Sequence, residues 1–312
     1  MGTLRAARMR WFCQDGHMTA HIVAMGGGGF SMSPFGAPTN LDRYLVELTG
    51  KSSPLVCFAP TASADDPQYI NKFLLAYGTL GVRTMVLTLW EGGSAGSVAR
   101  LADADLLVVG GGHTVNLMAL WQAHSVDRAI RARHAAGEVV LAGVSAGGSC
   151  WYEGCITDSF GDFRPWRGGL GLLPGSFCPH FDGEAERAPA YTDAVAEGNL
   201  PGGYGADDGA GVHYVDGVPT NFISETSGQR VYRVMPSDLP TASGVLVEPQ
   251  QMTVPAVQRK IRPRCTMKFT VVATPWAITK PTTCAIVWLP DRPSTHGYRT
   301  AKRPTCSTKV RP

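Results

Sequence analysis

Three apolar runs in this chain each end abruptly in glycine. Residues 21–25 lead into four consecutive glycines at 26–29, residues 104–109 into Gly110-Gly111-Gly112, and residues 139–142 into Gly143-Val144-Ser145-Ala146-Gly147. A strand that stops at a glycine turn and continues as a helix is the repeating unit of a parallel sheet, because parallel neighbours need a crossover between them. Helical periodicity fills the intervals, with helices expected at about 40–48, 67–77, from Thr114 onward, and 126–135, the last closed by Gly137. Strands at 54–58 and 82–89 complete the alternation. The expectation is an α/β domain with a mainly parallel sheet flanked by helices.

Beyond residue 165 the order loosens. Residues 170–178 read as strand-like, 184–196 as a helix, and 204–214 as strands closed by a hairpin turn at Asp216-Gly217, with a last strand at 231–234. Charge then divides the chain. Residues 1–240 hold 16 Lys+Arg against 23 Asp+Glu, a net of −7, and residues 241–312 hold 12 against 2, a net of +10. The overall +3 therefore describes neither part, and a reading of the whole chain as a basic nucleic-acid binder is excluded. The tail is rich in Pro, Thr, Lys and Arg, and its basic residues are not interleaved with aromatics in the manner of a nucleic-acid-binding strip. Three regions follow: residues 1–20 as an untidy leader, 21–240 as the α/β domain, and 241–312 as a basic extension of low order, with short apolar bursts at 269–273 and 285–289.

No run of about eighteen apolar residues is present, which speaks against a membrane helix. The first fifteen residues carry three arginines but no apolar stretch of signal-peptide type, so a cytoplasmic location is expected. The eight cysteines include no CxxC pair, and Cys13, Cys57, Cys150, Cys155 and Cys178 are expected as reduced, mostly buried thiols.

The sharpest chemical signal is G-x-S-x-G at 143–147. Between a strand and a helix, such a turn lifts a serine hydroxyl above the carboxyl end of a sheet, and its small flanking residues permit the strain. The same five letters can also be a plain structural turn. A serine hydroxyl needs a base, and His180, in the loop 177–182, stands where sheet-end loops place such groups. His124, His134 and His213 read as peripheral. An oxyanion needs backbone N–H donors, for which Ala146 and the Gly110–Gly112 turn are the candidates. A phosphate cradle is the competing reading of the glycine clusters, but neither the P-loop lysine nor a clean G-x-G-x-x-G accompanies them. No metal or organic cofactor is expected. Asp158, Asp207, Asp208 and Glu184 all remain open as the third member of a triad, since orientation of an imidazole depends on folded geometry.

Taken together, the segments 108–117, 143–147 and 178–182 resemble the peptidase E / cyanophycinase family of serine peptidases, over roughly residues 21–235. The resemblance implies a class I glutamine amidotransferase-like fold, a flavodoxin-like three-layer sandwich, and a serine triad upon it. It carries the nucleophile to Ser145, the base to His180 and the oxyanion donors to Gly111 and Ala146. It favours Asp208, just before a glycine, as the acid, with Asp158 as runner-up. His113 takes the place of an asparagine common after the triple glycine and falls at a first substrate subsite. Arg187 is a candidate for an aspartyl carboxylate, with a helix-surface arginine as the plainer reading. The implied substrate is a small peptide, with aspartyl dipeptides and β-aspartyl-arginine among the family's substrates. Two alternatives stay open: an esterase of α/β-hydrolase type, whose chain order Ser, acid, His would require Asp158, and a non-catalytic binding protein on the same fold. The sequence does not set the oligomeric state, with which a homodimer is compatible.

Overall fold

The glycine-ended runs become neighbouring strands, and the reason lies in their apolar patterning. Strand β1 (His21–Met25) alternates Ile22 and Ala24 on one face with Val23 and Met25 on the other, and both faces are buried. A strand covered on both faces reads as a continuous apolar run, which is the mark of a parallel sheet interior. The computed structural model describes residues 19–91, 95–236 and 245–251. The chain divides into Met1–Arg259 and Lys260–Pro312, and every described residue belongs to the first unit.

Along the chain β1 is followed by α1 (Asn40–Leu48), β2 (Leu55–Ala59), α2 (Pro67–Gly78), β3 (Arg83–Val86), α3 (Ala95–Ala99), β4 (Leu106–Val109), α4 (Thr114–Ala123), α5 (Val126–Ala135) and β5 (Val140–Val144). After β5 come α6 (Ala146–Ser149), β6 (Tyr152–Thr157), β7 (Arg164–Trp166), β8 (Leu173–Cys178), α7 (Arg187–Ala196), β9 (Gly203–Ala206), β10 (Ala210–Val215), β11 (Val218–Ser224), β12 (Arg230–Pro236) and β13 (Val245–Gln251). The first sheet has the order β11-β10-β1-β5-β4-β2-β3. Strands β1 to β5 within it are parallel, while β10 and β11 add an antiparallel edge. A second sheet, β13-β12-β9-β8-β6-β7, is mixed, with β6, β8 and β9 parallel at its centre. The mixed α/β architecture with its mainly parallel main sheet is as expected.

One face of the main sheet packs on α4 and α5 through Leu117, Trp121 and Ile130, and the other on α1 and α2 through Leu41, Leu45, Phe73 and Tyr77. Helix α7 covers the second sheet with Tyr191 and Val195 against Ile156, Cys178 and Val234. Local signals act where they were read. Gly137 follows α5 with φ 68°, and Asp216-Gly217 turns the β10–β11 hairpin with φ 51° and 78°, the left-handed pair of a type I′ turn. Thr114 begins α4 rather than capping it, and His113 is the cap residue without a capping side-chain bond.

Two expectations change here. Strands β6 and β7 were not foreseen, because Glu153 and Gly154 separate Tyr152 from the strand formers Ile156 and Thr157 and β7 is only three residues long. Strand β13 falls inside the segment 241–312 expected to lack order, where it pairs along the whole length of β12. The apolar bursts at 269–273 and 285–289 lie outside the described residues, as do residues 1–18 of the leader. Ala20, at the leader's end, exchanges hydrogen bonds with Asp216 through its N–H and carbonyl. Cys57, Cys150, Cys155 and Cys178 are free and buried, as expected, and Cys13 lies outside the described residues. Among the described residues no helix is long and apolar enough to cross a membrane.

His213, read as peripheral, is instead 1% exposed. On β10 it stacks on His21 of β1, with His21 Nδ1 2.9 Å from His213 Nε2, while the Tyr44 hydroxyl of α1 lies 2.7 Å from its Nδ1 and Asn221 of β11 stands beside it. Burial lowers the His213 pKa to about 4, and His21 adds to the effect. Burial lowers His21 as well, partly offset by Asp216. Because the folded pKa lies below the unfolded one, the unfolded chain binds more protons, and stability is lost as pH falls from 6.5 toward 4. With the lowered value of about 4, His213 alone removes about 2 kcal/mol at pH 5 relative to pH 7. Urea unfolding at the two pH values is expected to show a smaller difference in His213→Gln than in the parent, and an equal difference would exclude this role.

Candidate active site

Strands β1, β5 and β4 lie side by side, so their three glycine turns meet at one edge of the sheet. Ser145 occupies the turn after the central one, with φ 56° and ψ −117°, a strained backbone for any residue with a side chain. Both glycines of the motif are demanded by close approach. A Cβ on Gly143 would lie 2.0 Å from the Gly147 carbonyl oxygen, and one on Gly147 would lie 2.2 Å from that of Val109. The Ser145 N–H donates to the Met25 carbonyl at 3.0 Å, which ties the elbow to the end of β1. Helix α6 after it is a single turn, so its macrodipole contributes little. What it offers is N–H groups: Gly148 and Ser149 donate to the Ser145 carbonyl, and Ala146 heads the helix without an intrahelical acceptor.

His180 reaches this serine from the second sheet. It follows β8 in a loop where its own φ is 50°, and the neighbouring Phe181 N–H donates to the Ala206 carbonyl at 3.0 Å. His180 Nε2 lies 2.9 Å from Ser145 Oγ, and Nδ1 lies 2.5 Å from Asp208 Oδ1. With the carboxylate accepting from Nδ1–H, Nε2 is the acceptor and the serine hydroxyl donates to it. Asp208 sits in the short crossing from β9 of one sheet to β10 of the other, and its N–H donates to Asp182 Oδ1 at 3.1 Å. Ser145, His180 and Asp208 are thus brought together.

The other candidates go elsewhere. Asp158 is half-exposed and lies 3.8 Å from the Arg187 guanidinium. Asp207 turns away from His180, accepting the Arg230 N–H at 2.8 Å, and burial together with the charges of Asp182 and Asp208 raises its pKa to about 6. Glu184 pairs with Arg187 at 2.7 Å. Arg187 itself is 4% exposed, its guanidinium 4.4 Å from the Phe163 ring centre, which corrects the reading of it as a helix-surface residue. Both its ion-pair partners are the chain's own carboxylates, so an aspartyl substrate would have to compete with them. A cavity of about 590 Å³ beside this cluster is lined by Asp158, Asp162, Phe163, Glu184 and Glu186. His113 is exposed, and its N–H donates to the Ala62 carbonyl at 2.8 Å. Cys150 and Cys178 are fully buried, and burial pushes both thiols well above their usual range, so neither offers a reactive thiolate.

Two site features escaped the sequence reading. The first is Gly27: a Cβ there would stand 1.9 Å from Asp208 Oδ1 and 3.0 Å from His180 Cε1, so the glycine run after β1 leaves room for the imidazole–carboxylate pair. The run itself was visible, but its neighbour was not. The second is Tyr69 of α2, whose hydroxyl accepts the Gly111 N–H at 3.3 Å. Gly111 does face the serine, its Cβ direction ending 3.2 Å from Ser145 Cβ, but the N–H expected to await a substrate already has a partner.

The model of peptidase family S51 matches residues 22–220, well over half the chain. The chain belongs to peptidase family S51. This bears out the resemblance drawn from the three motifs. The family member is 42% identical over 214 residues to Uncharacterized peptidase YgaJ of Bacillus subtilis (strain 168), a match covering 69% of this chain and 91% of the relative. The crystal structure of a peptidase from an acI-B1 Actinobacterium is similar with a TM-score of 0.50 over 76% of this chain and 96% of that one. At 18% identity this second likeness concerns the fold alone.

Gly27→Ala is expected to separate His180 from Asp208 while leaving the fold intact. A displacement of about 1 Å in such a site costs roughly a hundredfold in rate. Labelling of Ser145 by a fluorophosphonate should slow by that order, and an unchanged labelling rate would show that Gly27 has no such role.

Proposed function

We propose that this family S51 peptidase hydrolyses an amide bond in a small peptide through an acyl-enzyme, with Ser145 as nucleophile, His180 as base and Asp208 as the carboxylate that orients it. The observation that carries this reading is the unbroken chain from Ser145 Oγ to His180 Nε2 at 2.9 Å and from Nδ1 to Asp208 Oδ1 at 2.5 Å, anchored on a strained strand-to-helix turn. His180 takes the serine proton as Oγ attacks the carbonyl carbon, and Asp208 stabilises the imidazolium that forms. The Ala146 N–H, with Gly111 across the turn, faces the charge that develops on the carbonyl oxygen. His180 then returns its proton to the leaving amine, and water, activated by the same base, hydrolyses the ester.

The order Ser145, His180, Asp208 along the chain supports a peptidase over an α/β-hydrolase esterase. That alternative needs an acid between the serine and the histidine, and Asp158 stands with Arg187 instead. The free, buried cysteines agree with a reducing, cytoplasmic setting. Exopeptidase action on dipeptides is the substrate reading to test first.

Purified protein is to be incubated with a panel headed by Asp-Leu and β-Asp-Arg, with release of free amine followed. Ser145→Ala should abolish release, and Asp208→Asn should lower kcat by about 10⁴, as loss of the orienting carboxylate does in serine triads. Asp158→Asn should leave kcat within about threefold, since its partly exposed ion pair is a weak interaction. A large loss with Asp158→Asn and little with Asp208→Asn would reverse the assignment. Release that survives in Ser145→Ala would overturn the mechanism.

A further inference from the structure

Tyr69 is placed against the glycine turn more tightly than packing alone requires. Its ring meets Phe58 edge-on at 5.0 Å and Phe30 at 5.5 Å between ring centres. A Cβ on Gly110 would lie 2.8 Å from Tyr69 Cε1, so the ring lies flush on the turn only because residue 110 is glycine. The next residue, Gly111, donates its N–H to the phenol oxygen at 3.3 Å and points its Cα hydrogen at Ser145, to which a Cβ would come within 3.7 Å of Oγ. The Ser31 hydroxyl, which donates to the Gly28 carbonyl at 2.6 Å, stands beside the same phenol.

An N–H carries one hydrogen. An oxyanion that takes the Gly111 hydrogen must come to about 2.7–3.1 Å from that nitrogen, on the side where the phenol oxygen already lies. The ring cannot retreat, because Phe30 and Phe58 hold it. The oxyanion therefore arrives within hydrogen-bond reach of the Tyr69 oxygen. As it takes the Gly111 hydrogen, the phenol gives up that donor, and its own O–H, which in the resting site has Ser31 Oγ beside it, turns to the oxyanion. We propose that Tyr69 is a further catalytic residue, whose phenol O–H donates a hydrogen bond to the oxyanion of the tetrahedral intermediate beside Gly111 and Ala146. No bond to the proton breaks: the phenol remains protonated throughout, and burial, which raises its pKa above the usual value, keeps it so. The proposal rests on Ser145 being the nucleophile.

Tyr69→Phe keeps the ring and removes only the hydroxyl. With the best dipeptide of the panel, kcat is expected to fall about ten- to a hundredfold with KM within twofold, since loss of one oxyanion donor acts on the transition state. Affinity for a peptide aldehyde, which forms an oxyanion-bearing adduct with Ser145, should fall by a similar factor, while the affinity of the amine product and the unfolding midpoint hold. A structural hydrogen bond would move the unfolding midpoint and leave the aldehyde-to-product affinity ratio unchanged, which overturns the assignment. So does a kcat within twofold of the parent. If the parent itself shows no Ser145-dependent turnover and no aldehyde adduct, the peptidase mechanism falls and Tyr69 with it; a parent that turns over beside an indifferent Tyr69→Phe overturns Tyr69 alone.

Discussion

The site depends on backbone passing backbone at distances that no side chain allows. Gly147 lies against the Val109 carbonyl, Gly143 against Gly147, and Gly27 against the Asp208 carboxylate, each with less than 2.5 Å available for a Cβ. These contacts let three parallel strands end at one level and leave the serine as the one residue of its turn with a reactive side chain. The strain in the Ser145 backbone, φ 56°, is held by the bond from its N–H to Met25 and by the packing of α6 beneath it. Removing any of these bare positions would act on the geometry before it acted on the chemistry.

The two sheets both contribute to the site. The main sheet carries Ser145 and the Gly111 and Ala146 amides at the ends of its central strands, and the second sheet carries His180 after β8. Asp208 stands where the chain passes from one sheet to the other, between β9 and β10. The Asp208 N–H donates to Asp182 and the Gly209 N–H donates to the Gly27 carbonyl, so Asp208 is fastened to both the His180 loop and the glycine run. A single hydrogen bond between partly exposed groups would be weak by itself, and here the scaffold rather than the pair fixes the separation.

Polar groups away from the triad are mostly tied up within the chain. Arg187 illustrates this: a guanidinium near the catalytic loop invites a role in binding an acidic substrate, yet Glu184, Asp158 and the Phe163 face occupy it. The His21–His213–Tyr44 group joins β1, β10 and α1 toward the start of β1, away from the glycine turn that follows it.

The alternation of apolar runs and glycine turns was legible in the sequence because each depends on residues close together: a strand needs its own apolar faces, and an elbow needs small residues at its own flanks. For the same reason the parallel sheet, helix α5 to the residue, the hairpin turn at Asp216-Gly217, and Ser145 and His180 as partners could be read directly. The acid could be narrowed but not chosen, since Asp158, Asp207 and Asp208 are alike as letters and differ only in what faces them. The burial of His213 was hidden because its partners His21 and Tyr44 lie far away in the chain, whereas β13 adjoins its partner β12 in sequence and was hidden because Glu248-Pro249 breaks its short apolar run. The places of Gly27 and Tyr69 are facts of adjacency between segments about 40 to 180 residues apart. Local chemistry wrote the motifs; the strand order of the folded sheet decided which of them meet.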